Sequence, residues 1–333
     1  IAGGQTAPVT TATEEWTTAS DFTQINLGQV YYNSGSNAFK VTALSVPTSS
    51  WASGGNLNVA KQAVFSYGAT GSAGGAVGGA PAPNNATHEQ YNGTAWTEVG
   101  DLNTGRYAES RTGSGTQTAA LVCSGGDVSA ITETYNGSSW TEVADLNVTR
   151  RASGGIGVQT ATLNVAGRNP SVGDYALTES YDGSSWTEIA DINTARYGVA
   201  GIGISTTALI AGGYRTSPAA YVTLCESWNG SSWTETGDLS TARYAGGASS
   251  SGSSNTDALV FGGSTGPSRT ANTELFNGTS WTELNNLSAS ITNNGGTGSS
   301  LDSINIGGNN GTTQVTTTEE WNAAEANKTI TVS

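Results

Sequence analysis

Tryptophan returns along this chain at an almost fixed interval. Trp51, Trp96, Trp140, Trp186, Trp233 and Trp281 are separated by 45, 44, 46, 47 and 48 residues, and the flanking sequence returns with them. From Trp186 the chain reads WTEIADINTARYGVAGIGISTTALIAGGYRTSPAAYVTLCESWNGSS, and from Trp140 it reads WTEVADLNVTRRASGGIGVQTATLNVAGRNPSVGDYALTESYDGSS. A unit this short cannot bury both of its faces alone, so it must stack on its neighbours.

Each unit divides into four short β-forming stretches. The first is Trp-Thr-Glu-apolar, as in Trp140 to Val143, and it is followed by a polar connection, as in Asp191, Ile192, Asn193 and Arg196. A second strand begins near that arginine, and a third is an apolar run closed by two glycines, as at 258–263. The fourth is Thr-Glu-x-aromatic, as in Thr132 to Tyr135. Asn92-Gly93, Asn136-Gly137, Asp182-Gly183, Asn229-Gly230 and Asn277-Gly278 then lead back to tryptophan. Such dipeptides accept positive φ cheaply and are the strongest short hairpin signal. Across each turn an aromatic residue (Tyr91, Tyr135, Tyr181, Trp228, Phe276) faces the following Trp, which predicts a cross-strand ring pair. The double glycines are expected where sheets approach most closely.

Composition fits this pattern and excludes others. Only 11% of residues are charged, against about a quarter in an ordinary domain, which excludes a helical bundle. The 46 Gly would suggest disorder, but 9 Trp, 12 Tyr and 5 Phe supply the apolar surface that a disordered chain lacks. No run approaches the ~20 apolar residues of a membrane span. With 12 basic against 26 acidic residues and a net charge of −14, a nucleic-acid partner is not expected. There is no Met, so the chain is expected to be a processed product or a piece of a longer one, attached through what precedes Ile1.

Four apolar residues before Gly-Gly, an aromatic and a Trp a few residues apart, and a basic residue before the next strand together resemble the kelch motif of β-propellers. The resemblance covers 51–321 and implies an all-β propeller of four-stranded blades, whose motif positions are structural. The six Trp markers would each begin one repeat. The basic position is assigned to Lys61, Arg106, Arg150 or Arg151, Arg196 and Arg243, with Ser290 in the last repeat.

Residues 1–16 resemble the second half of a unit, and 322–333 form an alternating strand-like tail, expected to close the ring. Hence 1–50 is taken as a partial blade with an inserted hairpin, 51–321 as six repeats and 322–333 as the closing strand. Seven blades follow, six full and one composite, with six as the alternative. The inserted hairpin, Gly28–Ser34 followed by Asn37–Val41, is similar to one in bacteriophage tail-fibre and other virion appendage proteins. With the uniform repeats, it resembles kelch-like structural proteins of marine tailed phages, cyanophages among them.

Catalysis is weighed on particular residues. Kelch-fold copper oxidases use His, Tyr and Cys, but here His88 is alone and is expected on a surface or strand flank. The arginines recur at one repeat position, and are expected to bond strand ends or pair with acids such as Asp101, Asp145, Asp191 and Asp238. Cys123 and Cys225, 102 residues apart, read as buried free thiols. No catalytic, cofactor or metal residues are therefore assigned, with isolated calcium sites left open.

The variable loop between the double glycine and the fourth strand runs from nine positions (Gly126 to Tyr135) to fifteen (Gly213 to Trp228). These loops should share one face, where binding usually resides, unless they are plain solvated connections. Their candidate recognition residues are Arg168, Tyr175, Tyr214, Arg215, Tyr221 and Arg269. The expected function is a non-enzymatic virion protein, a tail-fibre or decoration module. Its expected partners are other virion proteins and a host-surface glycan or protein, and its expected location is the extracellular particle. A secreted kelch lectin or adaptor is the alternative, and a propeller oxidase or glycan hydrolase is a third.

Overall fold

The computed structural model describes residues 30–33, 38–81, 86–107, 113–249, 254–266 and 268–329. Residues Ser45–Ala324 form one compact unit; Ile1–Leu44 and Glu325–Ser333 form the other. In the latter, Val30–Asn33 pairs antiparallel with the start of the strand Ala38–Ser53, Val30 opposite Val41 and Asn33 opposite Ala38. This pairing falls within the hairpin expected at 28–41, whose other residues lie outside the described ones. The half-repeat read in residues 1–16 lies outside the described residues.

The larger unit is a β-propeller of six four-stranded antiparallel blades. Blade 1 runs Phe65–Tyr67, Gly75–Val77, His88–Tyr91, Trp96–Val99. Blade 2 follows with Gly113–Thr116, Ala119–Cys123, Thr132–Tyr135, Trp140–Glu142. Blade 3 is Gly154–Val158, Ala161–Val165, Thr178–Tyr181, Trp186–Ile189, and blade 4 is Ala200–Ile204, Thr207–Ala211, Cys225–Trp228, Trp233–Glu235. Blade 5 is Gly247–Ala248, Ala258–Phe261, Thr273–Phe276, Trp281–Glu283. Blade 6 combines Gly295–Gly298, Asp302–Ile306 and Thr318–Thr329 with Ala38–Ser53, the strand that carries Trp51.

That last blade corrects the expected count of seven. The Trp-Thr-Glu strand is not the first strand of a unit but the outermost strand of the blade before it. Six tryptophan strands therefore complete six blades, and Trp51 completes the sixth from the other end of the chain. The composite blade is one of the six, as in the stated alternative. The first strands of the six blades contact one another in sequence, and that of blade 6 returns to that of blade 1.

Packing and hydrogen bonding both follow the six-fold ring. Each of six buried clusters joins two neighbouring blades; Ile202 and Leu209 of blade 4, for example, pack with Val260 and Trp281 of blade 5. The predicted ring pairs are present, with Tyr91–Trp96 centroids 5.0 Å apart and Phe276–Trp281 also 5.0 Å. In blade 6 the equivalent pair is Trp51–Trp321 at 5.4 Å.

The second position of each double glycine donates its N–H to the backbone carbonyl at the basic position leading into the next blade. The bonds are Gly79 to Arg106, Gly125 to Arg150, Gly167 to Arg196, Gly213 to Arg243, Gly263 to Ile291 and Gly308 to Lys61, at 2.7–3.3 Å. All six donors have φ between +91° and +115°, a conformation side chains resist, whereas the position before each also accepts Ser124 and Ala166. The last bond closes the ring. The register also shows that Ile291, not Ser290, holds the basic position of the final repeat.

The connections staple the blades together. Arg106, Arg150, Arg196 and Arg243, with Lys61, are buried and pair with buried glutamates of the Thr-Glu strands: Lys61–Glu89 3.2 Å, Arg196–Glu226 2.6 Å, Arg243–Glu274 2.6 Å, with Arg106–Glu133 and Arg150–Glu179 alike. Four of these carboxylates also accept from connection asparagines, as when Asn193 donates its backbone N–H and Nδ2–H to Glu226 Oε2 at 2.7 and 2.8 Å, and Glu274 accepts from Ser240 N–H instead. The acids expected to pair with arginine do something else. Asp101, Asp145, Asp191 and Asp238 accept the backbone N–H of His88, Thr132, Thr178 and Cys225 at 3.1–3.2 Å.

Candidate ligand-binding site

The two longest variable loops fold into hairpins of their own. In blade 3, Arg168–Asn169 pairs with Gly173–Asp174; in blade 4, Tyr214–Thr216 pairs with Ala219–Tyr221. Asp174 ties them together, its Oδ2 accepting Thr216 N–H at 2.6 Å and Thr216 Oγ1–H at 2.8 Å. The residue after each basic position runs antiparallel to the residue after the double glycine, so Tyr197 exchanges backbone hydrogen bonds with Tyr214 at 2.8 and 3.0 Å.

These pairings bring four tyrosines into a closed cycle. Ring centroids lie 5.6 Å apart for Tyr197–Tyr214, 4.9 Å for Tyr214–Tyr221, 6.4 Å for Tyr221–Tyr244 and 5.5 Å for Tyr244–Tyr197. Each ring stands at 72–89° to the next, the edge-to-face arrangement that ring quadrupoles favour. Arg168 lies over Tyr197, its Cζ 5.1 Å from the centroid, and its Nη1–H donates to Tyr197 Oη at 3.1 Å. Arg168 Nε stands 3.8 Å from Asp174 Oδ1, so the guanidinium charge is balanced locally. Together Arg168, Tyr197, Tyr214, Thr216, Tyr221 and Tyr244 line an open pocket of about 310 Å³.

Gly198 makes room for the cycle. A Cβ there would lie 2.0 Å from Tyr244 Cδ2. Its φ of +69° is not what requires glycine, because Ala63, Ala152 and Ala245 hold the same repeat position at φ between +49° and +55°. The tyrosine ring is the cause.

Of the sequence-assigned residues, Arg168, Tyr214 and Tyr221 meet in this pocket. Arg215 lies between Tyr214 and Thr216 on a strand, so alternation turns its side chain away from theirs. Tyr175 is half-buried, and its carbonyl accepts Arg196 N–H at 3.3 Å. Arg269 lies against the next blade's loop, where a Cβ on Gly311 would be 2.5 Å from its Nη1. Sequence reasoning missed Tyr197, Tyr244, Thr216 and Asp174. A signal existed for the first two: both follow the stapling arginine, in Arg196-Tyr197 and Arg243-Tyr244.

His88 is not on a surface. It is buried among Tyr67, Tyr135 and Trp140, with Tyr67 Oη 2.6 Å from its Nε2 and Gly100 O 3.1 Å from its Nδ1. Burial pushes its pKa down to about 4, so it is neutral at pH 7. Cys123 and Cys225 are buried free thiols, and burial pushes both up to about 12. Among the described residues no group of three His, Cys, Asp or Glu side chains is placed to hold a metal, and no helix is long and apolar enough to cross a membrane.

The chain matches no protein-family model and no curated protein.

Proposed function

We propose that this propeller is a non-enzymatic virion protein, a tail-fibre or decoration module that touches the host surface through the tyrosine pocket. The repeat resembles kelch propellers, a fold open to many functions; its combination with a hairpin similar to one in phage appendages is what favours an assembly of virion proteins. The observation that carries the contact role is the closed cycle Tyr197–Tyr214–Tyr221–Tyr244 on a ring of stapled blades. Tyrosine offers large, rigid, amphipathic contact area at low entropic cost. Held on a rigid scaffold, an aromatic pocket is pre-organised and loses little freedom on binding.

Antibodies raised against the chain test the virion assignment. Immunogold electron microscopy of intact marine phage particles should label their tails or capsid surface, and the same antibodies should block adsorption. Absence of label on particles whose genomes encode the chain would remove the virion role. Label without blocked adsorption would leave decoration alone.

A further inference from the structure

The pocket has a polar-aromatic character that selects among ligand chemistries. Anionic ligands are disfavoured twice: the chain carries a net charge of −14, and the one cation in the pocket lining, Arg168, is already balanced by Asp174 at 3.8 Å. Cationic ligands meet that same guanidinium, which already covers Tyr197 at 5.1 Å. A purely apolar ligand would bury the Tyr214 and Tyr221 hydroxyls without partners, at a cost in free energy.

A neutral ligand with one C–H-rich face and a rim of hydroxyls meets none of these penalties. The electron-rich ring faces attract weakly positive C–H groups. Tyr197 Oη accepts from Arg168 at 3.1 Å and retains its own O–H to donate. Among the described residues nothing bonds to the hydroxyls of Tyr214 and Tyr221, which leaves two groups able both to donate and to accept. A volume of about 310 Å³ sits at the lower end of the ~300–1,000 Å³ typical of ligand pockets, enough for a mono- or disaccharide end.

We infer that the tyrosine pocket binds the neutral terminal saccharide of a glycan, by ring-face contact with Tyr214, Tyr221 and Tyr244 and hydroxyl contact with Tyr197, Tyr214 and Tyr221. This rests on the contact role proposed above and names its ligand class. Gly198→Ala is the discriminating variant, because alanine is accommodated at this repeat position in three other places while its methyl would displace Tyr244.

Saturation-transfer difference NMR on the full chain, with methyl glycosides of glucose, galactose, mannose and N-acetylglucosamine, gives the direct test; sialic acid, glucose sulfate and choline serve as charged comparators. The expected result is transfer to at least one neutral glycoside, strongest at its C–H face, with binding weakened roughly tenfold in Gly198→Ala and in Tyr221→Ala. No transfer to any neutral glycoside, equal transfer in Gly198→Ala, or transfer confined to the charged probes would overturn the inference. If labelled chain binds host cells but neutral glycosides neither bind nor compete, the saccharide assignment falls and the contact role stands. If glycosides bind but cells do not, the reverse holds.

Discussion

Trp51 and Trp321 stand at opposite ends of the chain, yet their rings pack 5.4 Å apart in blade 6, and the Trp51 indole N–H reaches Thr273 Oγ1 of blade 5 at 2.9 Å. This is the seam that turns a row of repeats into a ring. Trp321 is fully buried, so Trp321→Ala should cost about 3–5 kcal/mol, measured by equilibrium denaturant unfolding. An exposed control such as Val172→Ala should cost less than about 0.5 kcal/mol. Equal effects would mean that the seam is not closed as described.

The buried Arg196–Glu226 pair predicts an asymmetry. Arg196→Met leaves Glu226 buried without its cation and should destabilise by about 3–5 kcal/mol. Adding Glu226→Gln should recover much of that loss, because the unpaired charge is then gone. Blade 6 already shows the outcome in the native chain: Ile291 takes the basic position, and the matching Glu319 is half-exposed, where the other stapling glutamates are buried.

His88 makes stability depend on pH. Its pKa falls from 6.5 in the unfolded chain to about 4 in the buried site, so the unfolded state binds the proton more readily. Stability is full above pH 6.5 and is lost as pH falls towards 4, by on the order of 3 kcal/mol. His88→Thr, the residue present at Thr132, Thr178 and Thr273, should flatten that slope in unfolding free energies measured from pH 7.5 to 4. An unchanged slope would place the titration elsewhere.

The two thiols report on opening of the ring. Cys123 and Cys225 are almost completely buried with pKa near 12, so iodoacetamide should label neither in the native chain at pH 8. Labelling should rise in step with denaturant unfolding. Rapid labelling of the folded chain would contradict the packing of blades 2 and 4.

Local chemistry was legible in the sequence, and closure was not. Asn92-Gly93 and its counterparts mark hairpins because a positive φ is a local demand, met by Gly93 at +88° with Asn92 Oδ1 accepting the amides of Thr94 and Ala95. Tyr91–Trp96 was readable for the same reason. The blade count depended on which partner the Trp51 strand takes, and that pairing with Thr318–Thr329 joins residues no local pattern connects. His88 was misplaced because burial comes from Trp140 of the next blade. Half of the pocket was visible as variable-loop residues. Tyr197 and Tyr244 were hidden inside the repeat, made neighbours only by the rotation from one blade to the next.

The most direct measurement compares wild type with Gly198→Ala for binding of fluorescently labelled chain to cells of the host on which the proposed virion grows, alongside thermal unfolding of both. The tyrosine cycle predicts saturable binding by wild type and roughly tenfold weaker binding by Gly198→Ala, with cooperative unfolding retained and the midpoint lowered by only a few degrees. Equal binding by the two, with Tyr244 free to be displaced at no consequence, would contradict a recognition role for the pocket.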